Sequence, residues 1–389
     1  MESRFNASIA FVGTYAPTVC GIATYTGSLI AALAADANRP RRVAAVSLTD
    51  RPMTAVEWPV VFHHRPGDPA SRRKAVGILN GYDSVSVQHE FGIFGPRDGA
   101  EVLELLEELT VPTAVTLHTV LREPSASQRV IIEGIGHIAD RIVVMSETAS
   151  DRLTACYDVD PGLIRVIPHG ADPGFAGPSR ATGSRPLVLT WGLIGPGKGL
   201  ELAIEAFADL VDLDPLPRYL IAGATHPEVR RNSGEAYRRS LIGLTSRLGI
   251  GDLVTFDDRF LTRTALAALV RSADLVVLPY ESVEQVTSGV LAEAIAASKP
   301  VIATRFPHAV EVLSDGAGLL VPHDEPEALS AALRKLLSDG DAMAAMTQQA
   351  RKMAAEWYWP TVGRRFADMM AEISGVKETV AAASASIAG

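Results

Sequence analysis

Glu293 is the one carboxylate in the stretch Gln285 to Pro300, QVTSGVLAEAIAASKP, whose pattern is otherwise that of a core helix. Thr287 or Ser288 can cap that helix, Val290, Leu291 and Ile295 supply its apolar face, and no Lys or Arg one turn away neutralises the carboxylate. An ionised group buried there needs a partner. Ligand hydroxyls donating to it, as in a sugar or ribose site, would provide one, and so would a cation from elsewhere in the fold.

A second constellation lies upstream. Strand LVLTW, loop GLIGPGKG and helix LELAIEAFADL follow one another, so that Gly197, its neighbours and a helix N-terminus offer backbone N–H groups to phosphate, with Lys198 at the mouth. Gly192 to Lys198 fits the first seven positions of a P-loop, but Gly199 stands where Ser or Thr would hold magnesium. No later apolar strand ends in an acidic metal ligand, because Leu275 to Leu278 runs into Pro279 and Tyr280. Gly13 and Gly21 are too far apart for a dinucleotide fingerprint, which argues against a nicotinamide enzyme. Asp212 and Asp214, beside two prolines, read as a surface turn, and no metal is assigned.

The elements that must position these residues are short apolar runs alternating with helical patterns, the layout of parallel strands with crossover helices. In the first half the runs are 8–12, 84–88, 113–117, 142–145 and 164–167; in the second they are 187–190, 219–222, 253–256, 275–278, 301–303 and 319–321. Each half is therefore expected to be a doubly wound α/β unit, joined by a Pro- and Gly-rich linker over 172–186. Ligands in such sheets bind beyond the carboxyl ends of the strands. Polar residues collect there: the GTYAPTVCGI loop, His89 and Glu90, His118, His169, and, after YLIAGA, His226. Each such histidine has a structural reading too, but several in one half favour a site.

At 389 residues the chain suits two domains rather than one core. Charge of -9 argues against nucleic acid as a bulk partner, and pairs such as Arg41–Arg42 and Arg238–Arg239 read as solvated faces. Cys20 and Cys156 are too few for a disulfide framework or thiolate zinc site, which suits a reducing cytoplasm. The start MESRFNASIAFVG lacks a secretory pattern, and no apolar run is long enough to span a bilayer; any peripheral membrane contact would be weak or partner-mediated.

Taken in order, the Cys20–Gly21 loop, VTLH at His118, ADRIVVMSE, VIPHGAD at His169, WGLIGPGKG at Lys198 and QVTSGVLAEAIAASKPVIAT make the chain similar to the family 4 (group 1) retaining glycosyltransferases of the GT-B fold. The resemblance implies two Rossmann-like domains facing each other across a cleft. Residues 1–175 would bind the acceptor and 186–355 the nucleotide sugar, with a helix over 356–375 packing back across both and a flexible tail over 376–389. It implies hexose transfer from a GDP-mannose or UDP-glucose type of donor to a carbohydrate or lipid-linked acceptor, with retention, without metal, and with no cofactor beyond the donor. By the same resemblance Glu293 holds the nucleotide ribose, Lys198 the diphosphate, and His118 lies near the donor sugar. Gly21 admits the phosphates to the backbone, and Ser288, Gly289 and Val290 aim N–H groups at them. Three positions depart from the family pattern: Gln285 replaces a carboxylate eight residues before Glu293, Leu193 replaces an arginine, and Cys20 replaces a glycine. Glu281 and Glu284 are out of register for the Gln285 slot, and Arg259 is a candidate replacement cation, against an ordinary surface salt bridge. Gln285 and Leu193 also motivate the alternative of a catalytically degenerate nucleotide-sugar-binding protein.

Overall fold

The computed structural model describes residues 7–36, 42–51, 53, 55–177 and 185–375; the expected tail, 376–389, and the middle of the expected linker lie outside them. The chain divides into two compact units. One comprises the residues up to Val144, Ser150–Ile167 and the chain from Val362; the other comprises Met145–Ala149 and Pro168–Thr361.

The first unit holds β1 (Ser8–Thr14), β2 (Arg42–Leu48), β3 (Val60–His64), β4 (Ser84–His89), β5 (Thr113–Leu117), β6 (Arg141–Val144) and β7 (Ile164–Val166), in the order β3-β2-β1-β4-β5-β6-β7. All pairs are parallel. β2 and β3 are not among the expected apolar runs. The alanines of RVAAVSL favour helix by propensity, and VVFHH spends its last two positions on histidine, so neither is distinctive as a strand. Arg42, read as a solvated charge, opens β2 with its guanidinium 4.4 Å from the centre of the Tyr82 ring. From Val362 the last helix, Trp359–Ser374, belongs to this unit, where Phe366 stacks on Phe11 of β1 at 5.8 Å.

The second unit holds β8 (Leu187–Trp191), β9 (Arg218–Ala222), β10 (Val254–Asp257), β11 (Leu275–Leu278), β12 (Val301–Thr304) and β13 (Gly318–Val321), all parallel in the order β10-β9-β8-β11-β12-β13. Strand alternation splits its core in two. Leu187, Leu189 and Trp191 pack on one face with the helix Gly289–Ala296, while Val188 packs on the other with the helix Leu200–Ala208. Pro168–Phe175, read from the sequence with the first half, pack here, and Phe175 is buried in the core rather than forming linker.

Each sheet has one switch point where the strand order reverses, β1/β4 in the first and β8/β11 in the second. The two glycine loops follow β1 and β8, so both lie where doubly wound sheets accept ligands. Among the described residues no helix is long and apolar enough to cross a membrane.

Candidate functional site

In the second unit, alternation along β8 sends Trp191 toward the helix Gly289–Ala296, and its indole Nε1–H donates to Glu293 Oε2 at 2.8 Å. Glu293 thus has a neutral donor within the fold, a partner that the sequence did not suggest. Burial pushes the Glu293 carboxyl up to about 7; the Trp191 hydrogen bond and the Arg263 charge oppose that rise. A half-buried carboxylate holding one neutral donor is well suited to accept further donors such as vicinal hydroxyls.

The loop after β8 is built on close backbone approaches. A Cβ on Gly199 would lie 1.7 Å from the Pro279 carbonyl oxygen, and one on Gly223 would lie 1.9 Å from that of Gly192. Gly199 also has φ of 60° as it caps the helix Leu200–Ala208, so sterics exclude the Ser or Thr of a P-loop from this position. Gly197 differs: φ is 85°, but a Cβ there meets nothing within 4 Å. The Glu281 N–H donates to its carbonyl at 3.1 Å. Lys198 holds its ammonium 4.3 Å from the centre of the Tyr280 ring, a cation–π contact that keeps the charge close to the loop.

The chain entering the helix Gly289–Ala296 is anchored at several points. Ser288 caps the helix, its Oγ accepting from Leu291 N–H at 3.2 Å, while its own N–H donates to His308 Nδ1 at 2.9 Å. Ser288 N–H, expected to face phosphate, is therefore already committed. Gln285 donates its carboxamide to the Thr287 carbonyl at 3.0 Å, so its side-chain oxygen is the atom oriented for accepting. Ser146 Oγ donates to the Val286 carbonyl at 2.7 Å. His169 packs beneath Gly289, its Nε2 2.9 Å from where a Cβ would stand, and its Nδ1–H donates to the Gly170 carbonyl at 2.7 Å. Burial pushes His169 down to about 4, so it is a neutral support for the helix start rather than a charged ligand.

The other expected residues of this unit have structural roles. Arg259 is exposed and paired with Asp257 at 2.6 Å, the ordinary salt bridge rather than a free cation. His226 caps the helix Pro227–Ser233, accepting from Glu228 N–H. Arg238, read as solvated, is 6% exposed, and its guanidinium donates to the Gly223 carbonyl and pairs with Glu235 at 3.5 Å. It stiffens the turn that faces Gly192. Asp212 pairs with Arg334 at 2.8 Å, in keeping with a surface turn. A cavity of about 220 Å³ lined by Glu201, Glu205, Tyr280, Glu281, His323 and Asp324 contains none of the expected donor ligands, and its carboxylates would repel a diphosphate.

In the first unit, Gly21 opens the helix Gly21–Ala35, and a Cβ there would meet nothing within 4 Å. The fold itself does not require glycine at that position. Cys20 explains its own departure: Sγ accepts from Ala23 N–H at 3.3 Å as the N-cap, and lies 3.1 Å from Thr14 Oγ1. His118 donates from Nε2 to Gln88 Oε1 at 3.0 Å, with the Gln88 amide turned by Ser86 Oγ at 3.1 Å and the Tyr25 ring edge-on at 4.9 Å. His89 is fully buried between Phe91 and Phe94 and pushed down to about 3 by burial, which makes it a core residue and not a ligand. Glu90 accepts from Thr119 Oγ1 and Phe91 N–H, its carboxyl raised by burial.

Sequence reasoning missed Trp191, Gln88, Tyr280 and His308. Trp191 and Gln88 end or nearly end strands at the two switch points, which is the signal that could have found them.

Residues 19–175 match the family model Glycosyltransferase Family 4, and residues 177–353 match Glycosyl transferases group 1. The chain is 34% identical to a D-inositol 3-phosphate glycosyltransferase of Rhodococcus opacus over 61% of this chain and 54% of that protein. It is 32% identical to the one of Saccharomonospora viridis over 68% of this chain and 64% of that protein. The chain thus spans less than two thirds of these relatives' own length. Among solved structures, sucrose-phosphate synthase of Thermosynechococcus elongatus superposes with a TM-score of 0.73 at 20% identity, covering 95% of this chain and 99% of that one. Anabaena HepE in complex with UDP-glucose does so with 0.74 at 18% identity, covering 94% and 100%.

Proposed function

Since the chain belongs to the group 1, family 4 glycosyltransferases of the GT-B fold, we propose that it transfers a hexose from a nucleotide sugar to a hydroxylated acceptor, with retention and without a metal. The observation that carries this reading is the Trp191–Glu293 pair beside the glycine loop and Lys198 at one switch point. Glu293 would accept the ribose hydroxyls, with Trp191 holding one carboxylate oxygen so that the other is presented. Lys198 and the N–H groups of Gly289 and Val290 would stabilise charge building on the leaving diphosphate, the contribution that a positioned donor or cation makes to a transition state. The Gln285 side-chain oxygen would accept from a donor-sugar hydroxyl, and His118 takes the donor-sugar role of the family pattern, its Nε2 proton fixed by Gln88. In this reading the acceptor hydroxyl attacks from the leaving-group face and its proton passes to the departing phosphate, so no protein nucleophile is needed.

For the donor, a GDP-mannose or UDP-glucose type of sugar nucleotide is the class to test, the latter also being what the HepE complex holds. For the acceptor, D-inositol 3-phosphate, in the relatives' name, is the first compound to try. The cytoplasm, where sugar nucleotides are available and Cys20 and Cys156 stay free thiols, is the compartment this reading requires. The second reading, a nucleotide-sugar-binding protein without turnover, draws on Gln285 and Leu193. Thermal unfolding with GDP, UDP and ADP, alone and with their common hexoses attached, separates these, because selective binding to the native state raises the midpoint. A shift with one nucleotide followed by hexose transfer supports catalysis; a shift with no transfer to any acceptor supports the second reading; no shift with any nucleotide refutes both.

A further inference from the structure

His308 is 1% exposed and opens the short helix Pro307–Leu313. It reaches the chain ahead of Gly289–Ala296 twice: Nδ1 accepts the Ser288 N–H at 2.9 Å, and the His308 main-chain N–H donates to the Gln285 carbonyl at 3.2 Å. An imidazole nitrogen that accepts carries no proton, so the ring proton is on Nε2. Among the described residues Nε2 has no hydrogen-bond partner, and it is buried beside Trp357, whose ring centre is 5.8 Å away. Leaving a buried donor unpaired is costly. The fold tolerates that cost while Nδ1 faces Ser288. Burial pushes the imidazole down to about 3, so the ring stays neutral and keeps its acceptor at physiological pH.

The two contacts have a directional consequence. Of the first-turn N–H groups, Ser288 is taken by His308 and Leu291 by the Ser288 cap, while Ala292 N–H already bonds back to the Ser288 carbonyl at 3.1 Å. Among the described residues no acceptor is provided for the N–H groups of Gly289 and Val290. With Ser146 fixing the Val286 carbonyl and His169 packed under Gly289, the segment is built before any ligand arrives. Preorganised donors cost no rearrangement at the moment charge develops.

We propose that His308 is a positioning residue for the donor diphosphate: by holding Ser288 N–H and the Gln285 carbonyl, it aims the free N–H groups of Gly289 and Val290 at the phosphates and sets the orientation of Gln285. It touches neither substrate nor the reacting atoms, and the inference rests on the glycosyltransferase reading above.

The test compares the affinity of the full chain for GDP or UDP, whichever the wild type binds, with that for guanosine or uridine, by titration calorimetry. His308→Leu removes the acceptor, and His308→Asn restores one near the place of Nδ1. Expected are a loss of tenfold or more in diphosphate affinity for H308L, a change of less than twofold for the nucleoside, and recovery to within about threefold of wild type for H308N, since tenfold corresponds to about 1.4 kcal/mol. If H308L does not fold, His308→Gln, whose acceptor lies one bond beyond the place of Nδ1, is measured instead with the same loss expected. Equal diphosphate affinity in the leucine (or glutamine) variant and wild type overturns the positioning role alone. A parallel loss of nucleoside and diphosphate affinity, or failure of H308N to recover, overturns it as well. A wild type that binds no nucleotide overturns the glycosyltransferase reading and this inference together.

Discussion

Replacing Glu293 by Gln should make the protein more stable at alkaline pH while weakening nucleotide binding. The carboxyl has an ordinary value of 4.5 and is raised to about 7 in the fold, mainly by burial. Between those values the native state keeps a proton that the unfolded chain has lost, so stability falls as pH rises and the loss is complete above the folded value. A shift of that size corresponds to about 3 kcal/mol, most of which is lost between pH 5 and pH 8. Gln keeps an oxygen for the Trp191 indole and does not titrate. The stability difference between E293Q and wild type should therefore widen in favour of E293Q by about 2 kcal/mol or more over that interval. Urea unfolding followed by tryptophan fluorescence suits the measurement, because Trp191, Trp357 and Trp359 lie in the unit that holds Glu293 and only Trp58 lies in the other. Ribose hydroxyls favour the ionised form, so nucleotide affinity of the wild type should rise with pH through about 7, and E293Q should bind more weakly without that rise. A stability difference that stays level from pH 5 to pH 8 would refute the assignment of the raised pKa to Glu293 in this pair.

Lys198→Ala should lower hexose transfer by tenfold or more, by analogy with losses of about 2.7–4 kcal/mol when one charge-stabilising donor is removed, with an unchanged unfolding midpoint; undiminished transfer refutes its role. Gly199→Ser should cost about 3 kcal/mol or more because its Cβ would enter the Pro279 carbonyl, whereas Gly197→Ala should cost only about 1 kcal/mol of left-handed backbone strain; equal effects in thermal unfolding would contradict this contrast. Trp191→Phe removes the donor that opposes the rise of Glu293, so the midpoint of the pH dependence of nucleotide affinity should move upward. Arg259→Ala should leave nucleotide affinity within about twofold, since what is lost is an exposed, solvent-screened ion pair; a tenfold loss would return Arg259 to the site.

What the sequence determined by itself is what short-range spacing can encode. Apolar runs separated by helical patterns specify parallel strands, and all the strands named in the second half are present, with ends shifted by at most one residue. A helix cap at Thr287 or Ser288, which falls on Ser288, and the glycine loop ahead of Leu200–Ala208 were legible because each depends on neighbours within one turn. Cys20 was legible in principle for the same reason, since Sγ serves the N–H three residues on. The tertiary structure decided which strand lies beside which, and with it every pairing that makes the candidate site specific. Trp191 meets Glu293 across 102 residues because β8 pairs with β11 and its odd positions face the helix that follows β11. His308 meets Ser288 from a different helix, and Arg238 is buried only because Gly223 and Glu235 converge on it. Local spacing fixes which way a side chain leaves its own element, but the partner it meets depends on strand order and sheet packing. Those are set by burial of the whole core and leave no mark on any single segment.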